Sequence, residues 1–294
     1  MELAATTSMV RTRSVRFAGL EAIELRDDAT EIVIVHEIGP RIASVRHGSS
    51  ENLLYWDHAG ERHRGEWKLY GGHRLWTTRP LADESEECHA PDNERCQVRE
   101  VENGIAVTAP PTAWGIEKTI VVQRSREGVW RVEHQLRNAS DLLWSGGAWA
   151  LTATRPLRGS RYRIPLGGSS PRWDVVTIVV SRRWAGHTSR LVDPQFEMTE
   201  EAIEVRALGV EAKRMMFAPR GTIEMRDERA LFIKTAARRD GAYPLNTNLA
   251  VYLAPDAWMV EIESMSPITT LAPDQVLSHV EEWCVSDGRA LTST

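Results

Sequence analysis

Hydrophobic and polar residues alternate along most of this chain with a period of two. In Trp130-Arg-Val-Glu-His-Gln-Leu-Arg137, Trp130, Val132, His134 and Leu136 fall on one side, and Arg131, Glu133, Gln135 and Arg137 on the other. That is the pattern of a strand with one buried face. Similar runs occupy 31–38, 41–45, 105–109, 116–123, 203–208, 214–218, 231–236, 249–254, 259–265 and 275–285. Gly39-Pro40, Glu102-Asn103-Gly104, Glu127-Gly128, Pro219-Arg220-Gly221 and Asp240-Gly241 punctuate them as turns. No long amphipathic helix interrupts the series, although residues 200–210 fit a short helix or a strand equally. The pattern predicts an all-β fold, a large antiparallel β-sandwich. No repeat or compositional shift marks a boundary, so one domain is expected over 1–294, with its core over about 17–286. The stretch 71–100 is loop-rich and too long for a plain connection, which marks it for function.

Charge and composition narrow the classes. A formal net charge of -5 argues against a nucleic-acid or anionic-membrane partner, which would call for a basic excess. The basic run Arg11 to Arg16 is short and reads as solvated. Three cysteines, Cys88, Cys96 and Cys284, make no disulfide framework and no Cys-x-x-Cys zinc spacing, and their odd number fits a reducing compartment. No basic, then apolar, leader opens the chain, and no apolar run is long enough to span a bilayer. A cytoplasmic protein with a small-molecule partner is therefore expected, and the oligomeric state stays open. Neither a nucleophile elbow nor a phosphate-cradling glycine loop is present. No cofactor and no catalytic metal are expected.

The chemistry concentrates in YGGHRLWTTRP, Tyr70 to Pro80. Gly71 and Gly72 permit a sharp turn or a close approach to a ligand. His73 can move a proton near neutral pH, Arg74 offers a planar fork of donors, and Trp76 an apolar face. Hydroxyl-rich ligands need that mixture. Neighbours on a strand face opposite ways, so His73 and Arg74 reach one ligand only across a bend. Further on, His89, Asp92 and Asn93 sit in a turn-forming loop where Asp and Asn can bind vicinal hydroxyls. Glu261 and Glu263, two apart, share one face of a strand, roughly 6.5–7 Å apart along it. Such a pair suits a general base. His134 reads as a hydrogen-bonded core histidine. Lys234 reads as a lysine that snorkels to solvent, or else one that meets a Glu or an acidic ligand. Eleven tryptophans against four phenylalanines is an unusual ratio, and two or three of them are expected to line a site.

In order along the chain, YGGHRLW, Pro91-Asp-Asn93, EHQLRNAS (133–140), EIESMSPITTLAPDQ (261–275) and HVEEW (279–283) resemble the galactose mutarotase-like, or aldose 1-epimerase, superfamily, in an uncharacterised bacterial branch. The resemblance runs from Glu31 to Trp283. It implies a super-sandwich with a sugar-binding cleft, in which a glutamate deprotonates the anomeric hydroxyl and a histidine protonates the ring oxygen. Glu263 ahead of Pro267 best matches the glutamate, and Arg74 the sugar-orienting arginine. Where the family's proton-donating histidine would stand, GGAWALTATRP (146–156) has Trp149. The expected catalytic set is Glu263 with His73 or His89. Arg74, Trp76, Asp92, Asn93, Trp149, Lys234 and Glu261 are expected at the ligand. The resemblance implies a carbohydrate-active isomerase, with a non-catalytic carbohydrate-binding protein or a proton-transfer epimerase or lyase as the alternatives.

Overall fold

A computed structural model describes residues 10–78, 86–126, 128–157, 159–167, 176–184, 187–228 and 230–287. The first nine residues and the Arg79-Pro80 end of the Tyr70 motif lie outside them.

Two large antiparallel sheets face each other. One has eleven strands, with Arg41–His47, His73–Thr78, Trp144–Thr154, Val260–Met265, Leu249–Leu253 and Ala212–Phe217 adjacent in that order. The other has ten and is centred on Ala230–Ala236, Val276–Asp287, Val129–Asn138 and Ile116–Arg126. Period-two alternation sends Ile42, Leu75, Val251 and Ile262 from the first sheet against Ile120, Trp130, Val132, Phe232 and Trp283 from the second, in one continuous core. The expected all-β sandwich is the observed architecture. Among the described residues, no helix is long and apolar enough to cross a membrane.

The outer face of the central strands of the eleven-stranded sheet is covered. Trp76, Trp149, Leu151, Met215, Ala250 and Met265 form a second apolar cluster there, apart from the main core. Two small hairpins lie outside the main sheets, His63–Arg64 with Trp67–Lys68 and Arg183–Trp184 with His187–Thr188. The strands beneath are therefore buried on both faces: all six residues of His73–Thr78, and all six of Val260–Met265, are buried. Arg11–Phe17, read as a solvated run, is indeed largely exposed, but it is a strand paired along its length with Leu20–Arg26. Within 200–210 the structure has the strand Ala202–Val205.

Candidate functional site

The Gly71-Gly72 pair turns the chain into the strand that builds the site. Both have positive φ, +95° and +71°. A Cβ would meet Tyr55 O at 2.4 Å at the first and Ile42 O at 2.3 Å at the second, so only glycine fits. The bend ends there. From His73 onward the strand alternates regularly, and the two neighbours part: Arg74 and Trp76 face outward, while His73 faces the second sheet, where it meets His134.

On the outer face lies a cavity of about 560 Å³. Trp67, Trp76, Trp184 and Trp258 supply aromatic wall, with Tyr252 and Met259 beside them. Arg74 and Glu261 lie at its sheet side, with Arg74 Nη2 2.6 Å from Glu261 Oε1. The guanidinium also lies 4.8 Å from the Trp76 ring. Only 2% of Arg74 is exposed, and its Nε and Nη1 make no hydrogen bond among the described residues. His89 lines the cavity against Trp67 and Trp76, at 5.2 and 5.4 Å between rings. The backbone of that segment is held from below by the fully buried Lys118, whose ammonium donates to the carbonyls of Cys88, His89 and Ala90 at 2.9–3.2 Å. Burial pushes the Lys118 pKa down to about 8.

Asp92 and Asn93 lie behind this wall. Asp92 Oδ2 accepts from Trp67 Nε1 at 2.9 Å and from Trp76 Nε1 at 3.3 Å, while Oδ1 pairs with the buried Arg41 at 3.1 Å. Burial opposes its charge, but Arg41, Arg74 and Lys118 outweigh that and hold the carboxyl below its ordinary value. Asn93 clips the hairpin by exchanging hydrogen bonds with the Lys68 backbone, at 2.7 and 3.0 Å. Asp92 positions the indoles, Asn93 the backbone beside Trp67, and both are absent from the cavity lining.

Glu263 and Trp149 share the outer face but are covered. The Trp149 indole donates to Glu263 Oε2 at 2.7 Å, and Lys213 Nζ lies 3.3 Å from Oε1 and 4.7 Å from the Trp149 ring. Glu263 is fully buried, and of the two strand glutamates Glu261 is the one that lines the cavity.

His73 and Lys234 lie on the opposite side of the sheet, between the two layers. Lys234 does not snorkel: it is 1% exposed and 2.9 Å from Glu281, the anionic partner that an inward lysine requires. The surrounding bonds have one consistent set of protons. His134 Nδ1 faces the His279 carbonyl at 3.0 Å and must donate. Its Nε2 then accepts from His73 Nε2 at 2.6 Å. His73 Nδ1 accepts from the Thr152 hydroxyl at 2.8 Å, and Thr152 accepts from Lys234 at 2.9 Å. Ser264 donates to Glu281, so His279 Nε2 donates to Ser264 at 2.7 Å. Burial lowers the pKa of all three histidines, that of His279 to about 3, and keeps them neutral. For Glu281 burial works against ionisation, yet the Lys234 ammonium 2.9 Å away holds its carboxyl far below the usual range. His73, His134 and Glu281 bring potential metal-ligating atoms within 4.8 Å of one another, but the ring nitrogens bonded here and the Glu281 oxygens are already committed to these protein hydrogen bonds.

The cavity also includes residues that sequence patterning passed over: Glu61, Arg62, His63 and Arg64 in and just before one hairpin, His187 from the other, and Tyr252 and Trp258. The density of charge and indole around Gly65 was the available signal for the first group. Nothing local marked the rest.

No family model matches the chain, and no curated protein matches it. Solved structures do. A galactose mutarotase-like protein of Lactobacillus casei is 11% identical, with a TM-score of 0.63, covering 90% of this chain and 100% of that one. One from Clostridium acetobutylicum is 10% identical, with a TM-score of 0.59 over 95% and 99%. A galactose mutarotase related enzyme from Lactobacillus acidophilus is 11% identical, with a TM-score of 0.56 over 94% and 97%. The chain has the galactose mutarotase-like fold, as its motif order implies.

Proposed function

We propose that the chain binds a sugar or sugar-like ligand in this cavity and isomerises it by acid–base catalysis of the aldose 1-epimerase type. The observation that carries this reading is Arg74. Its buried guanidinium spends one nitrogen on Glu261 and keeps Nε and Nη1 without an acceptor among the described residues, beside tryptophan walls. A buried donor left without an acceptor costs about 1–3 kcal/mol. Hydroxyl oxygens remove that cost, while the C–H faces of the same ligand stack on indole. Glu261, held in place by Arg74 and open to the cavity, is the base in this reading, in preference to the covered Glu263. Its carboxylate takes the proton of the anomeric hydroxyl, and an imidazole of the cavity wall protonates the ring oxygen.

Saturation-transfer NMR against aldoses, uronic acids and sugar phosphates, with anomer exchange recorded in the same samples, tests this. The expected result is binding with accelerated exchange. Glu261→Gln should bind and lose the acceleration, and Arg74→Met should bind at least about tenfold more weakly. A wild-type protein that binds no member of the panel would sink the reading.

The Trp149–Glu263 pair favours a second reading, carbohydrate binding without catalysis. An indole stands where the resemblance expects the acid, and it engages the glutamate expected as the base. Binding without exchange in the wild type would select it.

A further inference from the structure

The hairpin Arg183–Trp184 with His187–Thr188 contributes both Trp184 and His187 to the cavity. His187 is held from three sides. Its Nδ1 lies 2.7 Å from Glu211 Oε1, and because a carboxylate only accepts, that nitrogen carries a proton. Trp184 stacks on the imidazole at 5.3 Å and 29°, and the Tyr252 ring meets it edge-on at 5.8 Å. Tyr252 also donates its hydroxyl to the same Glu211 oxygen, at 2.9 Å. The His187 side chain is 38% exposed, so core packing gives no reason for this confinement. Locking a rotamer with a carboxylate and two rings is how a working imidazole is aimed. With Nδ1 anchored, Nε2 is the nitrogen left for a ligand.

The register places this imidazole across the cavity from Glu261. Tyr252 pairs with Glu261 on one side and with Lys213, two residues after Glu211, on the other. Two strand spacings of about 4.8 Å, with an offset of two residues along the strand, put the backbones of Glu261 and Glu211 roughly 12 Å apart, and Glu261 and His187 line the same cavity.

We infer that His187, oriented by Glu211, is the general acid of this site. The inference rests on the carbohydrate reading above. Glu261 takes the proton of the anomeric hydroxyl as the C1=O bond forms. The C1–ring-oxygen bond breaks, and the ring oxygen takes the Nε2 proton of the imidazolium. Neutral His187 remains, its Nδ1–H on Glu211. Closure on the other carbonyl face reverses both transfers, so no proton or electron is gained or lost overall. The hairpin thereby supplies the acid that the strand around Trp149 lacks.

The test is anomer exchange, with ligand binding measured alongside, in the wild type and in His187→Ala, Glu211→Gln, His89→Gln and Glu261→Gln. His187→Ala should slow exchange about 100-fold or more while still binding sugar, and added imidazole should restore part of the rate, which a merely structural role would not allow. Glu211→Gln should slow exchange about tenfold by removing the carboxylate charge that favours the imidazolium. If His187→Ala exchanges at the wild-type rate while Glu261→Gln is inactive, the inference fails and the reading stands. Imidazole rescue of His89→Gln instead gives the role to His89 and overturns the inference. A wild type that accelerates no exchange overturns both.

Discussion

At the scale of the residue, the buried pair Lys234 and Glu281 shows how charge is held between the sheets, away from the cavity. Both are buried, and each ion's desolvation is offset only by the other and by the hydrogen bonds around them. Lys234→Met strands a carboxylate and is expected to destabilise the fold by about 3–5 kcal/mol in urea titration. Lys234→Met with Glu281→Leu should be less destabilised than the single variant, because no charge is left unpaired. The three neutral histidines add a pH dependence. Unfolded, they bind protons as the pH falls below about 6.5; folded, their pKa values lie lower, to about 3 for His279, so they resist. The unfolded state then binds more protons, and stability falls as pH falls. Each contributes up to about 1.4 kcal/mol per pH unit below 6.5. The urea midpoint should drop between pH 6.5 and 5, and less steeply in His279→Gln.

At the scale of the element, the strands differ in whether they have a wet face. Val129–Asn138 alternates between buried and half-buried positions and was legible in the sequence for that reason. His73–Thr78 has no wet face at all, and its position inside a loop-rich stretch hid it. The site was legible in part. Arg74, Trp76, His89 and Glu261 reach the cavity, and the glycine pair does turn the chain, but its bend ends before His73, which sets that side chain in the other layer. Pairings such as Arg74 with Glu261, 187 residues apart, or Lys234 with Glu281 depend on strand order across the sheet, which no local spacing encodes. Asp92 acts through the elements it ties together. Asp92→Ala frees both indoles and leaves Arg41 without its carboxylate, so weaker sugar binding with a lowered urea midpoint is expected. Gly72→Ala should destabilise more than an ordinary Gly-to-Ala change, because the new Cβ meets the Ile42 carbonyl.

At the scale of the whole molecule, the tryptophans divide by location. Trp130 and Trp283 are fully buried between the sheets, whereas Trp67, Trp76, Trp184 and Trp258 line the cavity. A bound sugar should alter the fluorescence of the cavity set alone. A variant with those four replaced by phenylalanine should lose any ligand-induced change while Trp130 and Trp283 still report unfolding. If the quadruple variant keeps the ligand-induced change, the sugar sits elsewhere.

The opposite facing of His73 and Arg74 bears on how a mutant library of this protein would behave. On the proposed reading, adjacent codons answer to unrelated demands. A screen for abundance in cells would flag position 73 and pass over conservative changes at 74, while a screen for turnover would flag both. Subtracting the first map from the second would leave positions 74 and 76 on one strand, 252 on another and 261 on a third, and that pattern would trace the floor of the cavity without any ligand being known.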